Sequence, residues 1–155
     1  MSTIEKTIEV GRPVSAVYAQ WRQCEDFPQF MKGVKKVRPM PEEQWRWKAV
    51  IGGRTKRWDA EIVEQVTNQR ISWRSTAGAK NAGTITFVAL TPAKTRLILY
   101  LTYEPKGMLE RIGDNLGLVA AGVAADLKRF KALMESRPAP VNRRQTPEAI
   151  APALP

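Results

Sequence analysis

The chain has 155 residues, 43% of them hydrophobic, which is enough for one domain with a real core and too little for two; no apolar run reaches the about 18 residues of a membrane span. It has one cysteine, Cys24, and no histidine, which excludes a disulfide framework and Ser-His-Asp or Cys-His catalysis, and leaves zinc without its usual ligands. The formal charge of +10, from 25 Lys and Arg against 15 Asp and Glu, suits an anionic membrane, nucleic acid or an acidic ligand, and equally a solubilising surface.

Met1 to Val10 alternates polar and apolar residues and has no signal-peptide core, so the reading is a soluble, cytoplasmic protein, with peripheral membrane contact as an option. Within it Ile4, Ile8 and Val10 oppose Glu5, Thr7 and Glu9, the period of a half-buried strand. Gly11 ends that strand, Pro13 suits a first helical turn, and Val14, Val17, Tyr18 and Trp21 recur at helical spacing. Asp26 reads as the cap of a second short helix, with Phe27, Phe30 and Met31 as its apolar contacts and Gly33 as its stop.

From Val34 to Tyr103 the pattern is β, with strands predicted at 44–51, 55–65, 69–76, 84–90 and 95–103, separated by turn-formers such as Gly52-Gly53 and Thr67-Asn68. Trp45, Trp47, Ala49 and Ile51 share one parity; so do Trp58, Ala60 and Ile62, then Ile71, Trp73 and Ser75, then Leu97, Leu99, Leu101 and Tyr103. One face of this meander is therefore aromatic and apolar, while Arg46, Arg57 and Arg74 fall on the other. Past Gly107 a long helix to about Ser136 carries the stripe Leu109, Ile112, Leu116, Val119 or Ala120, Val123, Leu127, Phe130 and Met134. Its small-residue middle, 113–122, would leave volume between helix and sheet, and the Gly113-x-x-x-Gly117 spacing allows close approach to the sheet or a dimer contact. The run 137–155, rich in proline and with Arg143-Arg144, reads as a disordered basic tail behind a domain of residues 1–136.

Several segments together carry a family likeness: the Val14-x-x-Val17-Tyr18-x-x-Trp21 helix, Phe27-Pro28-x-Phe30-Met31, Ile71-Ser72-Trp73-Arg74-Ser75, Gly83 to Phe87, and Thr95-Arg96-Leu97 running to Tyr103-Glu104-Pro105 with Gly107. In this order, over roughly residues 3–135, they resemble the polyketide cyclase/dehydrase group of START-like proteins. That group is related to the coenzyme-Q-binding START proteins and shares the helix-grip fold of the birch-pollen allergen. The resemblance implies an α+β helix-grip fold: a curved antiparallel sheet of about seven strands wrapped around a long C-terminal helix, two short helices after the first strand, and a hydrophobic cavity between sheet and helix. The same scaffold serves aromatase/cyclases, which are thought to use pocket Arg, Tyr, Ser or Thr groups with water, and carriers of lipids and quinones. If this chain is a cyclase, the inward parity leaves Ser75 and Tyr103 as its polar groups.

The candidate ligand-binding residues are Phe30, Trp45, Trp47, Trp58, Ile62, Trp73, Phe87, Leu99, Leu101, Tyr103, Leu109, Ile112 and Leu116. Core packing accounts for any one of these indoles; as a cluster they suit stacking on a lipid, isoprenoid quinone or polyketide. Arg54, Lys56 and Arg57, on the Gly52-Gly53 hairpin, are candidates for contact with anionic headgroups, set against a plain solvated turn. Nucleic acid is disfavoured, because alternation along a strand sends each Trp and its neighbouring cation to opposite faces. Asp59, Glu61, Asp114 and Asp126 have no spacing that argues for a metal or a carboxylate pair, so neither metal nor cofactor is expected. Three functions remain open: a hydrophobic-ligand binder, monomeric or homodimeric; a metal-free cyclase; or a basic surface adaptor with a filled core.

Overall fold

The computed structural model describes residues 2–104 and 116–138. Strand β1 (Ser2–Val10) leads into helix α1 (Val14–Arg22) and a 3-10 helix (Cys24–Gln29). Strands β2 (Val34–Met40), β3 (Gln44–Ile51), β4 (Arg54–Val66), β5 (Arg70–Gly78), β6 (Asn81–Thr91) and β7 (Lys94–Tyr103) follow, and helix α2 (Leu116–Ser136) comes last. All strands join one antiparallel sheet in the order β1-β7-β6-β5-β4-β3-β2, so β2 to β7 form a run of hairpins and β1 closes on β7. The sheet curls as a half-barrel around the long helix, the α+β helix-grip architecture.

Amphipathic helices make the grip. On α1, Val17, Tyr18 and Trp21 are buried, and on α2 the buried Leu127, Phe130 and Met134 continue a stripe through Val123. The rings of Trp21, Phe30 and Phe130 meet at 4.9–5.6 Å, welding both helices and the 3-10 segment into one core. The far end of α2 is pinned to the β1–α1 corner: Glu135 Oε2 accepts from the Gly11 N–H and from Lys131 Nζ, both at 2.7 Å, and Lys131 also donates to the Glu9 carbonyl at 2.8 Å.

One local expectation changes. Asp26 lies inside the 3-10 helix instead of capping it; its carboxylate accepts from Gln20 Nε2 at 3.0 Å and from Gln29 Nε2 at 3.2 Å, and the helix ends at Gln29, before Gly33. The start of the stretch read as β, for which no strand bounds were predicted, forms β2, with only Val37 fully buried, as befits a sheet edge. Leu109, Ile112 and the tail beyond Pro138 lie outside the described residues, and of Leu116 only the backbone is described. Among the described residues no helix is long and apolar enough to cross a membrane.

Candidate functional site

Between the concave sheet face and α2 lies a cavity of about 930 Å³. Strand alternation delivers its wall: Trp45, Trp47 and Ala49 from β3, Trp58 from β4, Ile71 and Trp73 from β5, Leu99, Leu101 and Tyr103 from β7. Trp21, Phe27 and Phe30 close the floor, and Val119, Gly122, Val123 and Leu127 of α2 form the opposite side. The cross-strand partners Trp47 and Trp58 stack, with centroids 5.4 Å apart and planes 13° apart, and Phe27 packs against both Trp45 and Trp47. These contacts hold the rings against one another. Gly122 of α2 lines the cavity and is exposed, and an added Cβ there would meet nothing within 4 Å.

The polar groups are few. Trp73 Nε1 donates to Asn81 Oδ1 at 3.1 Å, the Asn81 N–H donates to Ser75 Oγ at 3.0 Å, and Asn81 faces Tyr103 directly across β6 and β7. Asn81 and Tyr103 are both buried. At the other end, Asp126 accepts from the Lys32 N–H at 3.2 Å and from Arg129, whose Nε donates to the Phe30 carbonyl at 2.9 Å. Lys32 and Lys35 complete that rim.

The structure thus brings Phe30, Trp45, Trp47, Trp58, Trp73, Leu99, Leu101 and Tyr103 to one cavity and leaves three expected residues off its wall. Phe87 shares the parity but sits further along β6, edge-on to Tyr18 beneath α1 at 5.3 Å. Ile62 packs into the main core beside a bulge that shifts the β4 register between Ile62 and Glu64. Ser75 has its hydroxyl committed to the Asn81 N–H. The sequence reading missed Asn81, since an asparagine after Gly78-Ala79-Lys80 reads as part of a turn. It also missed Lys32, Lys35, Asp126 and Arg129, which look like ordinary surface charges.

On the convex face Arg46 pairs with Asp59 at 3.0 Å and Arg74 pairs with Glu61, so these cations stand away from the indoles next to them in sequence. Of the hairpin trio, Arg57 is exposed opposite Lys48 on that convex face, while Arg54 and Lys56 share the parity of Trp58 and have partners of their own. Among the described residues no three of His, Cys, Asp and Glu gather as metal ligands.

The family model described as polyketide cyclase / dehydrase and lipid transport matches residues 10–132. An uncharacterised 17.2 kDa protein from the melC2-rnhH intergenic region of Streptomyces lincolnensis is 40% identical over 138 residues, covering 88% of this chain and 92% of its own. Solved structures share the fold, two of them as follows. A START superfamily protein from Mycobacterium smegmatis aligns with TM-score 0.67 at 18% identity, over 86% of this chain and 97% of that one. The Zhui aromatase/cyclase from Streptomyces sp. R1128 aligns with TM-score 0.72 at 16% identity, over 88% and 94%. With that family model spanning most of the chain and the fold shared with both structures, the chain belongs to the polyketide cyclase / dehydrase and lipid transport family.

Proposed function

We propose that this protein binds and carries a hydrophobic small molecule, of the size and flatness of a lipid chain, isoprenoid quinone or polyketide, between the sheet and α2. The observation that carries the reading is the aromatic wall: Trp45, Trp47, Trp58 and Trp73 around a cavity of about 930 Å³, large enough for a drug-sized ligand or bigger. A ligand there gains about 25 cal/mol per Å² of apolar surface removed from water. The filled-core adaptor has no use for such a cavity and is set aside.

A second reading, a metal-free cyclase, rests on the facing pair Asn81 and Tyr103, polar groups buried among the apolar residues of the sheet. The Zhui protein is called an aromatase/cyclase, which keeps this chemistry in view. Ser75 drops out of it, because its hydroxyl already serves the Asn81 backbone.

Native mass spectrometry of freshly purified protein, followed by extraction, tests the first reading: a stoichiometric apolar adduct is expected, lost or much weakened in Trp58→Ala. Protein that is consistently free of adduct, and whose tryptophan emission no lipid, quinone or polyketide alters, would sink it. For the cyclase, Tyr103→Phe should retain binding of a polyketide analogue while abolishing its turnover; an unchanged rate removes that reading.

A further inference from the structure

Among the described residues, the charge around the cavity is one-sided. Among the described residues its wall includes three cationic ones, Lys32, Lys35 and Arg129, and one carboxylate, Asp126. Asp126 is occupied by Arg129 and the Lys32 backbone N–H, and Arg129 is occupied in turn by Asp126 and the Phe30 carbonyl. Neither lysine ammonium has an ion pair or hydrogen bond among the described residues, and both are exposed at the rim. Among the described residues, the rim therefore carries two positive charges in excess of its carboxylates, beside an apolar chamber.

The backbone places one of them there by a local irregularity. Val34 pairs with Ala49 and Lys36 with Lys48, so Lys35 is the extra residue of a bulge in β2. In a regular strand Val34 and Lys35 would face opposite sides of the sheet; here both line the cavity. The turn before it is tied to β3, the Val50 N–H donating to the Gly33 carbonyl at 2.8 Å, which holds Lys32 and Lys35 to the same mouth.

From this arrangement we infer that the ligand is an anionic amphiphile, its apolar body against the indoles and a carboxylate or phosphate head between Lys32 and Lys35. The inference rests on the hydrophobic-ligand reading and adds the sign of the head. A cationic head would be repelled at this rim, and a neutral one would leave both ammoniums unpaired.

The test uses dodecanoate, dodecanol and dodecyltrimethylammonium below their micelle concentrations, each titrated against tryptophan emission of the full chain and of its Lys32→Gln/Lys35→Gln variant. Dodecanoate should bind roughly tenfold tighter than the trimethylammonium probe, with an advantage that salt erodes. In the variant dodecanoate should weaken to the affinity of dodecanol, while dodecanol itself is unchanged, which also shows that the variant is folded. Equal affinity for all three probes in the native chain would overturn the head-group inference and leave the cavity reading standing. Failure of all three to bind would count against both. Flotation with phosphatidylglycerol vesicles separates the two sources of an anion: lysine-dependent vesicle binding without dodecanoate binding would put the anion on a membrane surface and overturn the inference.

Discussion

Trp73 owes its place in the wall to a missing side chain. A Cβ on Gly83, its partner across β5 and β6, would come within 2.6 Å of the Trp73 ring and 2.5 Å of the Tyr100 carbonyl oxygen, and the carbonyl belongs to backbone that cannot yield. Gly83→Ala should therefore destabilise the fold by about 1–3 kcal/mol, seen as a lower denaturant midpoint at unchanged slope, and loosen the Trp73–Asn81 bond. Cys24 makes the opposite point about reactivity. Burial, and then the charge of Glu25, push its thiol up to about 11, so it should resist alkylation at neutral pH until the protein is unfolded; rapid labelling of the native chain would contradict this. The parity of the indoles was legible in the sequence because the strand period is strict. How far along the sheet each one lies was not, which is why Phe87 was expected in the cavity and is found under α1. Nor was the bulge at Lys35, since nothing in Val34-Lys35-Lys36 distinguishes it from a regular polar edge.

Among elements, α2 shows how a helix is attached at one end and left roomy at the other. Its last turns bury Leu127, Phe130 and Met134 and tie Glu135 to Gly11 and Lys131, whereas Leu118 near its start is 58% exposed. Lys131 first, and then the Gly11 N–H, hold the Glu135 carboxyl below the ordinary range. A carboxyl lowered in the folded state contributes stability that is complete above its unfolded pKa and is lost as pH falls through the folded value. Glu135→Gln should cost about 1 kcal/mol at neutral pH and flatten the stability loss of the native protein on acidification below about pH 4. An unaltered acid limb would refute the assignment. The helix stripe and most strands could be predicted from periodicity alone. β2 was not delimited, because an edge strand with one buried residue carries almost no pattern.

For the whole molecule, the cavity sets binding against stability. Space walled by apolar side chains forfeits packing that a filled core would have, and a ligand restores it, stabilising by about 2.7 kcal/mol at a hundred times its dissociation constant. Gly122→Leu, which puts a side chain into the open space beside the helix, should raise the melting temperature of the empty protein and depress ligand binding. A variant that melts lower, or binds as before, would show that the volume by Gly122 is not the ligand's.

The sheet's strand order also bears on how the chain acquires its shape. Each strand from β2 to β7 meets its neighbour through a short turn, but β1 pairs over Ser2 to Val10 with residues 95–103, the far end of the meander. Closing so long a loop is entropically slow compared with zipping hairpins. On the ribosome β1 emerges well before its partner β7 and waits for it, with Ile4, Ile8 and Val10 unpaired in the meantime. Glu5, Lys6 and Glu9, interleaved with them, keep that waiting segment charged and discourage it from pairing with another nascent chain.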